Sequence, residues 1–99
     1  MIKVIIERRV KRIEDLFPLL RELREAAMHY PGFVTGETMG SIVDKSTVVV
    51  ISTWQTLKDW QAWEKSDTRA KLYQRIQPLL DTKPKVSIYQ LLATEMQFE

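Results

Sequence analysis

The sequence contains no cysteine and only one histidine among its 99 residues, together with three glycines and four prolines. Without cysteine there are no disulfides, no thiolate metal sites and no cysteine nucleophile. The single histidine leaves little from which to build a transition-metal site, because imidazole is the other common ligand. His29 lies one helical turn after Glu25 on a polar face and reads as a surface residue, so no Ser-His-Asp set is assembled around it. No glycine-rich phosphate loop precedes a helix, which argues against a nucleotide-binding enzyme. Long apolar runs are missing too. Ile2, Val4, Ile5 and Ile6 form too short a core for a signal peptide and Glu7 ends it, so neither a targeting nor a membrane segment is expected and the chain reads as cytoplasmic. Charge of one sign is also scarce, at a net +2. Arg8, Arg9, Lys11 and Arg12 cluster and could attract an anion or a nucleic acid, but the run reads as a solvated strand end.

What is present is ordinary for one domain spanning residues 1–99: 44% apolar and 28% charged residues, without repeat or linker. Residues 1–10 alternate, with Ile2, Val4, Ile6 and Val10 on one side, and read as a strand. Arg8 falls on that apolar side, where it either snorkels out at the strand end or points into a cavity. Asp15 is the expected cap of a first helix, with Pro18 in its first turn. Leu16, Leu19, Leu20, Leu23, Ala26, Ala27 and Tyr30 share its apolar arc, and Pro31-Gly32 stops it.

Residues 33–42 read as a weaker strand whose Gly36 and Gly40 suggest a bulge or a close approach to the backbone. Residues 47–54 form a strong strand, apolar on both faces as an interior strand is. Thr56 caps a second helix, with Asp59 three residues on and Leu57, Trp60 and Trp63 on one arc. A helix restarts at Ser66 or Asp67, carries Leu72, Tyr73 and Ile76, and ends before Pro78. Residues 85–93 give the last strand, and the tail still alternates at Met96 and Phe98.

The order βαββαβ predicts a ferredoxin-like α+β fold, with both helical segments on one face of a four-stranded antiparallel sheet. Ile5, Val49, Ile51, Tyr89 and Leu91 then point to the other face. Leaving about five such side chains in water forgoes on the order of 7–15 kcal/mol as an upper estimate, so a second copy of the chain, sheet against sheet, is expected. RNA-recognition domains share the strand order but stack bases on exposed aromatics of the central strands. Those strands carry none here before Trp54, so no nucleic-acid partner is expected.

Residues 53–73 hold all three tryptophans. Trp54, Trp63 and Tyr73, with Phe33 and Tyr30 near, would wall an apolar cavity at the helix–sheet junction; Trp60 reads as core. Arg8 would bring one cation and Tyr73 one phenol, a setting for a weakly acidic aromatic or an anion.

The run His29 to Phe33 (HYPGF), the strand ending Thr53-Trp54, and the stretch Trp60 to Asp67 (WQAWEKSD) resemble the antibiotic biosynthesis monooxygenase family. The resemblance implies a dimeric α+β barrel of ferredoxin-like subunits. Several members oxidise polycyclic phenols with O2 and no bound metal or flavin; others degrade haem, and some act on phosphorylated sugars or quinones. In the haem-degrading branch the tryptophan position falls on Trp63, the histidine ligand on Tyr73 and the asparagine on or beside Arg8. Two of those three are changed, so haem is disfavoured, although tyrosine can ligate haem iron. The expected function is therefore a cofactor-independent monooxygenase on a small phenol or quinol, with Arg8 and Tyr73 catalytic and Trp63, Trp54 and Phe33 binding the substrate. The alternatives are a haem-binding or haem-degrading protein, or a non-catalytic dimeric ligand-binding domain.

Overall fold

The computed structural model describes residues 1–95. The elements run β1 (Ile2–Arg9), α1 (Ile13–Ala27), β2 (Phe33–Gly40), β3 (Thr47–Trp54), α2 (Leu57–Glu64), α3 (Asp67–Ile76), a 3₁₀ turn (Gln77–Leu79) and β4 (Lys85–Gln90). The strands form one antiparallel sheet in the order β2-β3-β1-β4. This is the ferredoxin-like fold the alternation predicts. Met96 and Phe98, the expected continuation of the last strand, lie outside the described residues.

The helices cover one face of the sheet. On that face β1 contributes Val4, Ile6, Arg8 and Val10, all buried, and β3 contributes Val48 and Trp54. Two apolar clusters result. One holds Val4, Ile6, Ala27, Trp54, Trp60 and Trp63; the other holds Val10, Leu16, Leu19, Leu20, Val48 and Ile76. Leu23 touches both. Arg8 stands on β1 between Ile6 and Val10, where the clusters meet. The helices do not reach over β4, so Val86 and Ile88 remain about half exposed although they face the helical side.

Several boundaries differ from the sequence expectation. α1 starts at Ile13, not after Asp15: its N-cap is Arg12, which makes no side-chain cap. Ile13 packs against the second cluster, and burying it draws the first turn forward. Asp15 and Glu14 instead sit in that turn, beside the Arg12 guanidinium at 3.8 and 3.5 Å. β2 ends at Gly40, leaving Ile42 and Val43 in the hairpin loop and fully exposed. Its bulge lies between Phe33 and Thr35, just before Gly36. Leu57 does not join Trp60 and Trp63 inside but is exposed at the start of α2. Thr56 caps α2 by accepting from the Asp59 amide, as its spacing predicts. No helix among the described residues is long and apolar enough to cross a membrane.

Candidate functional site

The basic cluster of β1 is not one patch. Arg9 is exposed and pairs with Asp44, and Arg12 pairs with Glu14 and Asp15. Arg8 turns inward and is 1% exposed. The reason lies in the layering: α1 and α3 pack over this end of the helical face of β1, so a side chain there has no short path to water, whereas Arg9 on the opposite face has one. Arg8 Nη2 donates to Tyr73 Oη at 3.2 Å, while its Nε and Nη1 are buried without any partner.

The break between α2 and α3 positions the rest. Ser66 Oγ donates to the Trp63 carbonyl at 2.7 Å and accepts from the Arg69 amide at 3.2 Å. One hydroxyl therefore ties the last turn of α2 to the first turn of α3, orienting Trp63 and Arg69 toward the sheet. In α3, Arg69, Leu72, Tyr73 and Ile76 follow the spacing of a buried arc. The Arg69 guanidinium lies over the Tyr73 ring at 4.3 Å and near Trp60 at 5.4 Å. Burial pulls its pKa below the usual arginine value; the Tyr73 phenol opposes that and the Arg8 charge adds to it. Arginine remains a cation at neutral pH all the same.

A cavity of about 50 Å³ opens between the helices and the sheet, walled by Ile6, Arg8, Phe33, Trp54, Trp60, Trp63 and Arg69. It exists because β2 has almost nothing on its helical side. Gly36, Thr38 and Gly40 pair with Ser52, Val50 and Val48 across β3, so the space under α1 is left unfilled at that edge. The Phe33 ring folds over Gly36, close to where a Cβ would stand. Phe33 and Trp54 meet edge to face at 5.3 Å, as do Trp54 and Trp60 at 6.0 Å. Outward, a cleft of 260 Å³ shares Leu20, Arg24 and Thr38 with the cavity, making the mouth.

The structure thus brings together Arg8, Trp54, Trp63 and Phe33, as expected. Tyr73 stands behind Arg8 and reaches the cavity through it, its other side facing a cleft toward the loop before β4. Tyr30 packs against Trp63 at 4.9 Å but does not line the space. Trp60 is core and wall at once, with Nε1 buried and unpartnered. Arg69 and Arg24 were not expected there. The signal for Arg69 was its place four residues before Tyr73 on the same arc. His29 is exposed, and no group of three or more metal-ligating side chains occurs among the described residues.

Residues 1–75 match the family model described as antibiotic biosynthesis monooxygenase. The chain belongs to the antibiotic biosynthesis monooxygenase family. Solved members and neighbours superpose over most of this family member. A putative antibiotic biosynthesis monooxygenase from Nitrosomonas europaea is 21% identical at a TM-score of 0.84, covering 94% of this chain and 100% of that one. SnoaB from Streptomyces nogalater, described as a cofactor-independent oxygenase, is 11% identical at a TM-score of 0.86, covering 94% of each chain. A conserved protein from Methanosarcina mazei Go1 is 16% identical at a TM-score of 0.84, covering 90% of each. At these identities the likeness shows the fold. No curated protein matches the sequence significantly.

Proposed function

We propose that this protein is a cofactor-independent monooxygenase that oxidises a small phenolic or quinol-type substrate with O2. The observation that carries the reading is Arg8, a buried cation on the wall of an aromatic cavity with two nitrogens unpartnered. A buried charge with no counter-ion is costly. A phenolate seated against it offsets that cost and is held in its ionised, electron-rich form. Family membership and the likeness to SnoaB support the same chemistry.

Oxygen accepts an electron from a substrate only when that substrate is electron-rich, as a phenolate is. Apolar walls that exclude water strengthen the Arg8–phenolate attraction. Trp63, Trp54 and Phe33 hold the ring, and Tyr73, accepting a hydrogen bond from Arg8, orients the guanidinium that faces the phenolate. Where the reacting carbon is a methylene beside the phenol, its two C–H bonds are lost and a C=O is gained. The second oxygen atom leaves as water. All four electrons come from the substrate, so no external reductant is consumed. An engineered apolar cavity that takes benzene measures roughly 150 Å³, against about 50 Å³ here, so even a single phenolic ring extends from the cavity into the mouth.

Oxygen uptake with a panel of anthrones and hydroquinones tests the reading. The Arg8→Ala, Tyr73→Phe double variant is expected to lose about a hundredfold or more in rate; equal rates for wild type and variant overturn the assigned roles.

The haem alternative fits this arrangement poorly. Tyr73 Oη already accepts from Arg8, its ring is covered by the Arg69 guanidinium, and the cavity is far smaller than a macrocycle. A hemin titration is expected to leave the Soret band unshifted, and a stoichiometric shift would reinstate haem.

A further inference from the structure

Three guanidiniums reach the lining of the cavity, those of Arg8, Arg24 and Arg69, against one carboxylate, that of Glu37, which is exposed. None of the three makes an ion pair among the described residues. Arg8 is buried and Arg69 half-buried, so a missing counter-ion costs more at these two than at the exposed Arg24. The two inner ones occupy different positions around Tyr73. Arg8 lies at the hydroxyl edge and Arg69 over the ring face. A ligand with one acidic group answers only one of them.

Arg69 is also dressed for a planar anion. Tyr73 and Trp60 lie against its guanidinium, and stacking uses the faces of that plane, leaving the N–H groups not engaged with the Tyr73 hydroxyl as an open edge. Such an edge matches the two oxygens of a carboxylate. Burial and the neighbouring Arg8 charge disfavour the Arg69 cation, the Tyr73 phenol and the Glu64 carboxylate favour it, and an anion at its open edge adds to the favourable side.

We propose that the substrate is an aromatic acid, a phenol or quinol that also carries a carboxylate, with Arg69 binding the carboxylate while Arg8 faces the phenolic oxygen. This rests on the oxygenase reading for the phenol and adds the second acidic group.

Quenching of the tryptophan fluorescence, which reports on Trp54, Trp60 and Trp63 at the site, measures the binding of three probes: gentisate (the carboxylate of hydroquinone), its methyl ester, and hydroquinone itself. Wild type is expected to bind gentisate about tenfold or more tighter than the ester or hydroquinone. In Arg69→Gln the ratio of acid to ester affinity falls to about one. Equal affinities in wild type overturn the proposal, as do a preference that survives in Arg69→Gln and an absence of binding by all three. The wild-type comparison requires no variant, so it decides the matter even if Arg69→Gln does not fold. Oxygen uptake measured on the same samples separates the two readings. A gentisate preference without uptake supports the carboxylate site and removes the oxygenase, whereas uptake without a preference does the reverse.

Discussion

Arg8 is where residue-level reasoning went furthest. In the sequence it interrupts an apolar side of a strand, and snorkelling and pointing inward were equally open to it. The helices packed over this face of β1 decide for the interior, and the single bond to Tyr73 leaves most of its donors unmatched. Function and stability then pull in opposite directions. Arg8→Met keeps the length and apolar stem while removing an unpaired buried charge. It is expected to raise stability by about 1–3 kcal/mol in urea titration, and to abolish oxygen uptake. Arg69 was harder to see from sequence, because a charged residue on an otherwise apolar arc is normally read as lying at its wet margin. Two aromatic rings provided by separate helices hold it inward instead.

At the scale of elements, short polar and glycine positions do the shaping. Gly32 ends the α1 turn with φ +85, and a Cβ there would collide with the Asp59 side chain in α2. Gly32→Ala is therefore expected to cost about 1–3 kcal/mol by thermal or urea unfolding. Gly36 is different, since a Cβ there stands 3.4 Å from the tip of Phe33 and meets no backbone. Gly36→Val should leave the far-UV circular dichroism and melting temperature nearly unchanged, valine being at ease in a strand. It should abolish ligand-induced fluorescence quenching by filling the gap above β2.

The β2–β3 loop carries a pH signature. Hydrogen bonds from the Ser46 amide and the Thr47 hydroxyl, aided by the Arg9 charge, hold the Asp44 carboxyl below the ordinary carboxylate range. A depressed folded value means that the stabilisation is present above the ordinary carboxylate pKa and is lost as pH falls through the depressed one. Wild type should accordingly unfold at higher denaturant than Asp44→Asn at neutral pH, and the two curves should converge in strong acid.

At the scale of the molecule, one sheet face is covered by helices and the other by none of the described residues. Ile5, Val49 and Ile51 lie there half-buried, flanked by exposed Met39, Tyr89 and Leu91. Five of these six are the side chains the alternation assigns to that face; Met39 joins them through the register of β2 with β3. A homodimer packed sheet against sheet is proposed to cover them. Sedimentation at micromolar concentration is expected to give a dimer for wild type and a monomer for Ile51→Lys, and a stable wild-type monomer overturns the proposal.

Strand and helix order, the two-sided apolar character of residues 47–54, the Thr56 cap and the gathering of Phe33, Trp54 and Trp63 were legible in the sequence, which left open whether Arg8 turns inward and whether Ser66 or Asp67 restarts the helix. Each follows from periodicity or from local hydrogen bonding, which act over a few residues. The start of α1 at Ile13, the exposure of Leu57, the partition of the basic cluster and the inward turn of Arg69 were decided only by tertiary structure. They depend on which surfaces are brought together by residues far apart in the chain, and the cavity depends likewise on Gly36 of β2 lying opposite α1 residues distant in sequence.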